Sequence, residues 1–520
     1  MRRRERLWLM GALCLWFLLN LLFLTRYPYM HSDESWLAGL SRSMLSSHSI
    51  GVTESFFDLK PRYPHAIKLI FQLLLMPFMA LFGHTLFAIR LPSLLAGAAA
   101  LFVCYRIARQ WLPASWALGM MALMGLNNQF IAISHTARQE IYLLVLLLVC
   151  LWLLTARKPS VKRSLWLGLT TGLAVGFHPN SFLLAVAVGL TLCGEALMQK
   201  RLPMKELLAY VGVTALLAGV FVGISFAVDP QFPMHYRMYG ENEFNLFEPT
   251  SNRMAELFPY LAKLWTRTSA TYDVPELRLN MVLAVAFLLR NTWQLLARKQ
   301  QRALPFVLLP LGVLAGTVLI GRYNQLSAAL WLLPALLGVI PLCAAWLHKH
   351  ETASASLAAK WTHRAFLPML LAATLAVSAS GIAPWLDQSY EAYLHELSAY
   401  VSPTQKTLGN LNTALYFEED AFWDVRNLSY LKERGMSFEE YIEKNQIEMI
   451  LWSDEMAYVY AHRPTWNILY GNPRYVPEAE AFFQAHCKAV GKVWSDTFAV
   501  RLCPEMGKPY CVTVYKVIRR

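Results

Sequence analysis

Apolar stretches long enough to cross a bilayer recur along the first three quarters of this 520-residue chain, from residue 7 to residue 385. A helix needs about 20 predominantly apolar residues to cross the hydrocarbon core. Only 16% of the residues are charged, against about 25% in an average soluble protein. Because backbone polar groups in lipid must be hydrogen-bonded within the segment, such stretches fold as helices. The sequence therefore predicts a polytopic α-helical membrane protein.

The positive charges follow a pattern that fixes the orientation of these helices. Residues 387–520 carry a net charge of −4 and the rest of the chain carries +17, so the overall +13 does not indicate a nucleic-acid partner. The positive charges concentrate in short loops, at 106–109, 157–163, 200–201 and 298–299. Cytoplasmic loops are enriched in Lys and Arg. We therefore expect a cytoplasmic N-terminus and an extracytoplasmic C-terminus.

This orientation is consistent with about eleven transmembrane helices. Residues 7–24 follow a basic N-terminus, but their apolar run is longer than a signal-peptide core of about 7–15 residues and no small-residue cleavage site follows. We expect a retained first helix. Residues 66–82 are also apolar, and we predict a juxtamembrane or re-entrant helix; the alternative is that this segment crosses and a neighbour does not. The other predicted crossings are 86–108, 115–134, 141–155, 165–177, 181–196, 207–228, 279–297, 304–320, 326–347 and 365–385.

From residue 387 onwards the composition becomes that of a soluble domain. Helical patterns at 390–401, 439–444 and 478–490 alternate with strand patterns at 447–452, 498–502 and 512–517. We predict a transmembrane domain over 1–386 and a small extracytoplasmic α/β domain over 387–520. In an oxidising compartment, Cys503 and Cys511 are the likelier disulfide pair of the three cysteines in this domain.

Two adjacent acids, Asp33 and Glu34, follow the first predicted helix on its outer side. A carboxylate pair is costly in hydrocarbon and cheap at the water boundary. Placed there, it can accept a proton from a hydroxyl or hold a metal ion. The alternative is that Asp33 only caps a helix that begins at Ser35.

Four stretches in a fixed order resemble a known family. They are Asp33-Glu34 with 38–44, then 60–67 leading to 81–83 and 88–93, then 137–140, and finally Arg322-Tyr323 with Pro334. In order and spacing they are similar to the polyprenyl-phosphate-sugar-dependent glycosyltransferases of the C superfamily (GT-C fold), which include protein O-mannosyltransferases and aminoarabinose transferases. Three positions depart from the family pattern, namely Trp36, His65 and His178.

The resemblance implies a glycosyltransferase of the bacterial inner membrane whose site faces the periplasm. The enzyme would move a hexosyl or pentosyl group from an undecaprenyl-phosphate-sugar donor to a hydroxyl of a lipid, glycan or protein acceptor, with inversion. By resemblance Asp33 is the general base and Glu34 orients it or ligates a metal. Glu140 is the second carboxylate, for which the alternative is a salt bridge with Arg138. The resemblance implies no cofactor other than a divalent metal ion.

The resemblance also suggests cationic and metal-binding residues. The leaving phosphate would be bound by some of five residues: Lys60, Arg62, Arg90, Arg138 and Arg322. A divalent metal ion would be held by Asp33, Glu140 and His65. A transporter or flippase of a lipid-linked substrate is the alternative, and a scaffold displaying the C-terminal domain is a third reading. A transporter would place charges deep in the helices, whereas the notable charges of this chain lie at helix ends, which favours the enzyme.

Overall fold

The structure is a computed structural model, and it describes residues 2–244, 250–266, 274–298, 300–320, 323–352, 357–387, 389–462, 471–495 and 510–518. Helices form the first three quarters of the chain. Their bounds are α1 (Arg3–Leu21), α2 (Ser32–Ser47), α3 (Leu69–Phe82), α4 (Leu86–Ala108), α5 (Ala114–Gly125), α6 (Asn128–His135), α7 (Glu140–Ala156), α8 (Val161–Ala174), α9 (Ser181–Met198), α10 (Met204–Val228), α11 (Phe232–Phe244), α12 (Thr250–Ala255), α13 (Leu257–Thr266), α14 (Leu277–Arg298), α15 (Leu304–Ile320), α16 (Ala329–Leu336), α17 (Val339–Thr352) and α18 (Leu357–Ile382).

Every apolar stretch found in the sequence is helical, so the prediction of a polytopic helical membrane protein is confirmed. Within the described ranges, seven helices are long and apolar enough to cross a membrane, and an eighth span results if α5 and α6 are counted together. Helices α3 and α7 are apolar but shorter. The fourteen residues of α3 extend roughly 21 Å at 1.5 Å per residue, less than the ~30 Å of a hydrocarbon core. The count of eleven crossings and the placement of α3 stay predictions.

The predicted crossing over 115–134 consists of two helices, α5 and α6, which meet at an angle of 66°. The Asn127 side chain causes part of the break, because its Oδ1 accepts hydrogen bonds from the backbone N–H groups of Gln129 (3.1 Å) and Phe130 (3.2 Å) and so caps a new helix. The carboxylate of Glu276 also binds the N–H of Asn128, at 2.6 Å. The bend matters for the site because residues 136–139 follow directly after α6.

The C-terminal residues form the predicted α/β domain around a mixed five-stranded sheet. Its strand order is β2-β1-β3-β5-β4, with β1 parallel to β2 and β3, and β5 antiparallel to β3 and β4. The strands are β1 (Thr407–Gly409), β2 (Phe422–Asp424), β3 (Met449–Ser453), β4 (Cys487–Ser495) and β5 (Tyr510–Val517), and the helices are α19 (Tyr390–Ser398), α20 (Phe438–Lys444), α21 (Glu455–His462) and α22 (Val476–His486).

One element of this domain was predicted wrongly. The helix expected over 478–490 ends at His486, and 487–490 begin β4, because pairing with β5 along its whole length overrides the local helical pattern. The strand predicted at 498–502 and Cys503 lie outside the described residues. That strand, the Cys503–Cys511 disulfide and the domain boundary at 387 therefore stay predictions.

Candidate active site

The first turn of α2 carries both predicted acids. His31 precedes the helix, and its Nδ1 accepts a hydrogen bond from the backbone N–H of Asp33 (3.0 Å), while the Glu34 carboxylate accepts one from the N–H of His31 (2.9 Å). This reciprocal pair is a capping box. The helix therefore begins at Ser32, and the alternative in which Asp33 caps a helix starting at Ser35 is wrong.

Glu34 and Arg90 form a fully buried ion pair. The guanidinium donates to both carboxylate oxygens, from Nε at 2.9 Å and from Nη2 at 2.8 Å, and the N–H of Ala137 donates to the same carboxylate at 2.8 Å. The remaining N–H groups of Arg90 are taken by the backbone carbonyls of Leu24, Pro28 and Tyr29. With all five donors of Arg90 engaged, the expectation that it binds the phosphate is corrected. The pair holds α2, α4, the segment 24–29 after α1 and residue 137 together, and both carboxylate oxygens of Glu34 are engaged in this network.

Arg138 brings the two other acids to one place. Its Nη1 binds Asp33 Oδ2, and its Nε and Nη2 donate to the Glu140 carboxylate at 3.3 and 3.2 Å. Burial by itself lowers the pKa of Arg138, but Glu140 and then Asp33 more than offset this, so that its pKa lies above the usual value. Acids separated by more than 100 residues therefore share one guanidinium, and the salt bridge considered for Glu140 is present.

Asp33 is the acid that solvent can reach. Its side chain is 37% exposed, whereas the side chains of Glu140 and Arg138 are 3% and 5% exposed. Glu140 is also bound by the Gln139 side chain at 3.1 Å and by the Ser327 hydroxyl at 3.4 Å. Three of the four sequence motifs therefore meet at this point. The first contributes Asp33 and Glu34, the second contributes Arg90, and the third is residues 137–140.

Two residues that contact Arg138 or Glu140 were not predicted from the sequence. His31 was not among the predicted site residues, although its ring lies 3.3 Å from Arg138 Nη1. Ser327 was not singled out, although it closely follows the motif at 322–323 and so could have been found by its spacing. Arg322 itself lies outside the described residues, and its predicted role stays a prediction.

Lys60 and Arg62 lie against Trp36, which is one helical turn after Asp33. The Lys60 Nζ and the Arg62 Cζ are 5.2 and 5.0 Å from the centroid of the indole ring. Arg62 also binds both oxygens of the buried Glu54, each at 2.9 Å. Burial would raise the pKa of Glu54, but Arg62 more than compensates and holds it below the usual value. Two predicted phosphate-binding cations thus lie against the residue that follows the solvent-accessible acid by one helical turn.

A cavity with aromatic walls adjoins Arg62. The rings of Tyr63 and His235 stack 3.5 Å apart, and His235 Nδ1 lies 2.7 Å from the Asp229 carboxylate. Other residues lining this cavity are Pro61, Pro64, His65, Phe232, Tyr236, Met238 and Tyr430. Its walls therefore combine aromatic rings with charged side chains that already have partners. They come from α11, from residues 61–65 and from the C-terminal domain.

The predicted metal ligands are not brought together. Among the described residues, no group of three or more His, Cys, Asp or Glu side chains is close enough to hold a metal ion. His65 lies in the cavity wall, where burial and then Lys68 and Arg62 lower its pKa to about 3. Asp33 and Glu140 bind the Arg138 guanidinium, and the metal set of Asp33, Glu140 and His65 stays a prediction.

Comparisons with known proteins agree with this architecture. Residues 65–225 match the family model described as dolichyl-phosphate-mannose-protein mannosyltransferase. The crystal structure of ArnT from Cupriavidus metallidurans bound to undecaprenyl phosphate is similar over 99% of this chain and 98% of that one, with a TM-score of 0.54 and 14% identity. The chain has the fold of the C-superfamily glycosyltransferases.

A second enzyme of this GT-C fold is also similar. The archaeal oligosaccharyltransferase AglB from Archaeoglobus fulgidus, solved with an inhibitory peptide and a dolichol-phosphate, matches 92% of this chain and 72% of its own, with a TM-score of 0.51 and 10% identity. Comparison with curated protein sequences finds no match. The fold that the four motifs implied is thus confirmed, and the family-model match over residues 65–225 agrees with it.

Proposed function

We propose that this protein transfers a sugar from a polyprenyl-phosphate donor to a hydroxyl acceptor, with inversion, on the periplasmic side of a bacterial inner membrane. The observation that carries this proposal is the solvent-accessible Asp33 held by the buried Arg138, with Lys60 and Arg62 against the ring of Trp36, the residue one helical turn after Asp33. The structures of similar fold were solved with polyprenyl phosphates, which supports a donor of this class.

The proposed reaction is a single displacement at the anomeric carbon. The acceptor oxygen attacks C1 of the sugar while the bond from C1 to the phosphate oxygen breaks, and the polyprenyl phosphate leaves with the bonding electron pair. The hydroxyl proton passes to Asp33, which has to lie within about 3 Å of that oxygen. Arg138 orients Asp33, and Glu140 with Ser327 orients Arg138. Attack opposite the leaving group inverts the configuration at C1.

We assign the donor phosphate to the Lys60 and Arg62 side, together with Arg322 as the sequence suggests. A departing phosphate is stabilised by cations that are in place before the reaction. Arg90 is not part of this set, since its donors are engaged with Glu34 and with backbone carbonyls.

We further propose that the cavity beside Arg62 receives a sugar ring, from the donor or from a glycan acceptor. Its two charged side chains are paired, Arg62 with Glu54 and Asp229 with His235. A cavity in which Arg62 already binds a carboxylate suits a neutral polyhydroxylated ring better than a phosphate, because the aromatic walls cover the apolar faces and the polar groups meet the hydroxyls.

The decisive experiment replaces Asp33 by asparagine in the full-length protein. Purified protein is supplied with undecaprenyl-phosphate-linked sugars and a cell-envelope extract, and released undecaprenyl phosphate and glycosylated acceptors are followed by mass spectrometry. We expect Asp33→Asn to lose transfer by at least about 10²-fold, the contribution of a general base. Asp420→Asn, an exposed acid in the C-terminal domain, is the matched control and should retain wild-type transfer. Normal transfer by Asp33→Asn would refute Asp33 as the general base, whereas absence of transfer by the wild-type protein with every donor would favour the transporter or scaffold alternatives.

A further inference from the structure

One corner of the C-terminal domain is buried against the segment that carries Lys60. This docking corner consists of Asp424, Arg426 and Asn427, at the end of β2 and in the turn after it. Their exposed fractions are 0%, 2% and 0%. Burying three polar side chains together is costly unless each is hydrogen-bonded, so the contacts they make are informative.

Asn427 holds the backbone of residues 56–60. Its Oδ1 accepts hydrogen bonds from the N–H groups of Leu59 and Lys60, both at 3.2 Å, and its Nδ2 donates to the Phe56 carbonyl at 2.8 Å. The N–H of Asp424 donates to the same carbonyl at 3.2 Å. One amide side chain thus fixes the path of the chain into Lys60, in a loop that has no strand partner at these positions.

Arg426 covers the aromatic ring on which the two cations lie. Its Cζ is 4.5 Å from the centroid of the Trp36 ring and 5.2 Å from that of Phe57. Its direction is set by Asp424, whose Oδ1 lies 2.7 Å from Arg426 Nε. Trp36 also donates its indole N–H to Glu54, the partner of Arg62. The docking corner therefore contacts the backbone of Lys60 and the Trp36 ring, against which both Lys60 and Arg62 lie.

We propose that the docking corner completes the active site: Arg426 and Asn427 are positioning residues through which the C-terminal domain holds Lys60 and Trp36 in place to receive the polyprenyl phosphate. The proposal rests on the proposed function. It makes the domain an integral part of donor binding, in place of an appendage that only docks an acceptor or shields the site. Neither residue touches the reacting atoms; each acts through the segment that it holds.

Other contacts attach the domain without reaching this segment. The Ser43 hydroxyl binds Glu419 Oε1 at 2.6 Å, and Arg42 Nη1 donates to the Phe417 carbonyl at 2.7 Å. Both lie near the far end of α2, about three turns from Asp33. Attachment and positioning can therefore be separated by mutation.

The experiment measures binding of undecaprenyl phosphate, the leaving group itself, to the full-length protein in lipid nanodiscs, together with the KM for the donor and kcat. Asn427→Ala leaves two N–H groups and one carbonyl without their side-chain partner, and losses of this kind are large enough to weaken binding about tenfold. We expect the dissociation constant of undecaprenyl phosphate and the donor KM to rise by that factor, with kcat within about threefold of wild type. Ser43→Ala, which removes one attaching hydrogen bond, should bind as the wild type does.

Two further variants keep the outcome decisive. If Asn427→Ala does not fold, Arg426→Lys retains the charge but loses the planar group over Trp36, and it should still weaken binding severalfold while Arg42→Lys does not. Asp33→Asn should bind undecaprenyl phosphate normally and fail to transfer the sugar. Transfer therefore tests the proposed reaction, and binding of undecaprenyl phosphate tests the role of the docking corner. Unchanged binding in a folded Asn427→Ala or Arg426→Lys protein, or equal weakening by Ser43→Ala, would overturn the proposal.

Discussion

Replacing Glu34 by glutamine removes the charge of a fully buried carboxylate while keeping its shape. The wild-type group accepts two hydrogen bonds from Arg90, one from Ala137 and one from His31. A glutamine cannot accept all four, and its NH2 group opposes donors of Arg90 or of the backbone. Breaking one partner of a buried ion pair costs about 3–5 kcal/mol, because the other charge stays buried and uncompensated. We therefore expect Glu34→Gln to lower the free energy of unfolding by about that amount.

A double-mutant cycle isolates the pair from the other bonds. Arg90→Met alone leaves the Glu34 charge buried and three carbonyls unpaired, whereas Glu34→Gln combined with Arg90→Met removes both charges. The double variant should be less destabilised than the sum of the single variants by about 3 kcal/mol. Unfolding can be followed with a thiol-reactive dye, since Cys104 and Cys150 are buried in the native protein. Additivity of the two single changes within about 0.5 kcal/mol would refute the view that Glu34 and Arg90 act as one unit.

Three further predictions concern the site and the cavity. Arg138→Lys keeps the charge but cannot bind Asp33 and Glu140 through a planar guanidinium. In a folded protein, transfer should therefore fall about 10–100-fold in the assay used for Asp33→Asn, and wild-type transfer would contradict the bridging role of Arg138. Tyr63→Ala removes the ring stacked on His235 and should raise the KM for the sugar-bearing substrate severalfold with kcat little changed, whereas Tyr63→Phe should behave as the wild type. The pKa of His65 is about 3, so between pH 3 and 6.5 the unfolded chain binds a proton at this position that the folded chain does not. The neutral ring therefore contributes fully to the free energy of unfolding above pH 6.5. This contribution declines as the pH falls, by up to about 1.4 kcal/mol per pH unit. A pH series of unfolding midpoints should therefore fall less steeply for His65→Gln than for the wild type, and identical slopes would show that His65 is not buried as a neutral ring.

The helices of this protein follow closely from its sequence. The bounds of α4 and α15 are the predicted ones, at 86–108 and 304–320, because a run of apolar side chains in lipid forces its own backbone into internal hydrogen bonds, whatever the rest of the chain does. The order of the four motifs was also sufficient to predict the superfamily fold. The position of Asp33 beside the first helix, accessible to solvent, needed no more than the alternation of apolar runs and basic loops.

What each charged side chain binds was decided by the tertiary structure. The sequence offered both Arg90 and Arg138 as candidates for binding the phosphate, and only packing showed that Arg90 is paired with Glu34 whereas Arg138 bridges Asp33 and Glu140. The break between α5 and α6, which precedes residues 136–139, depends on the distant Glu276 as well as on Asn127. Hydrophobicity is read within one segment, but a buried charge is stable only with a partner, and the partners that distinguish Arg90 from Arg138, Glu34 and Asp33, lie 56 and 105 residues away in the chain.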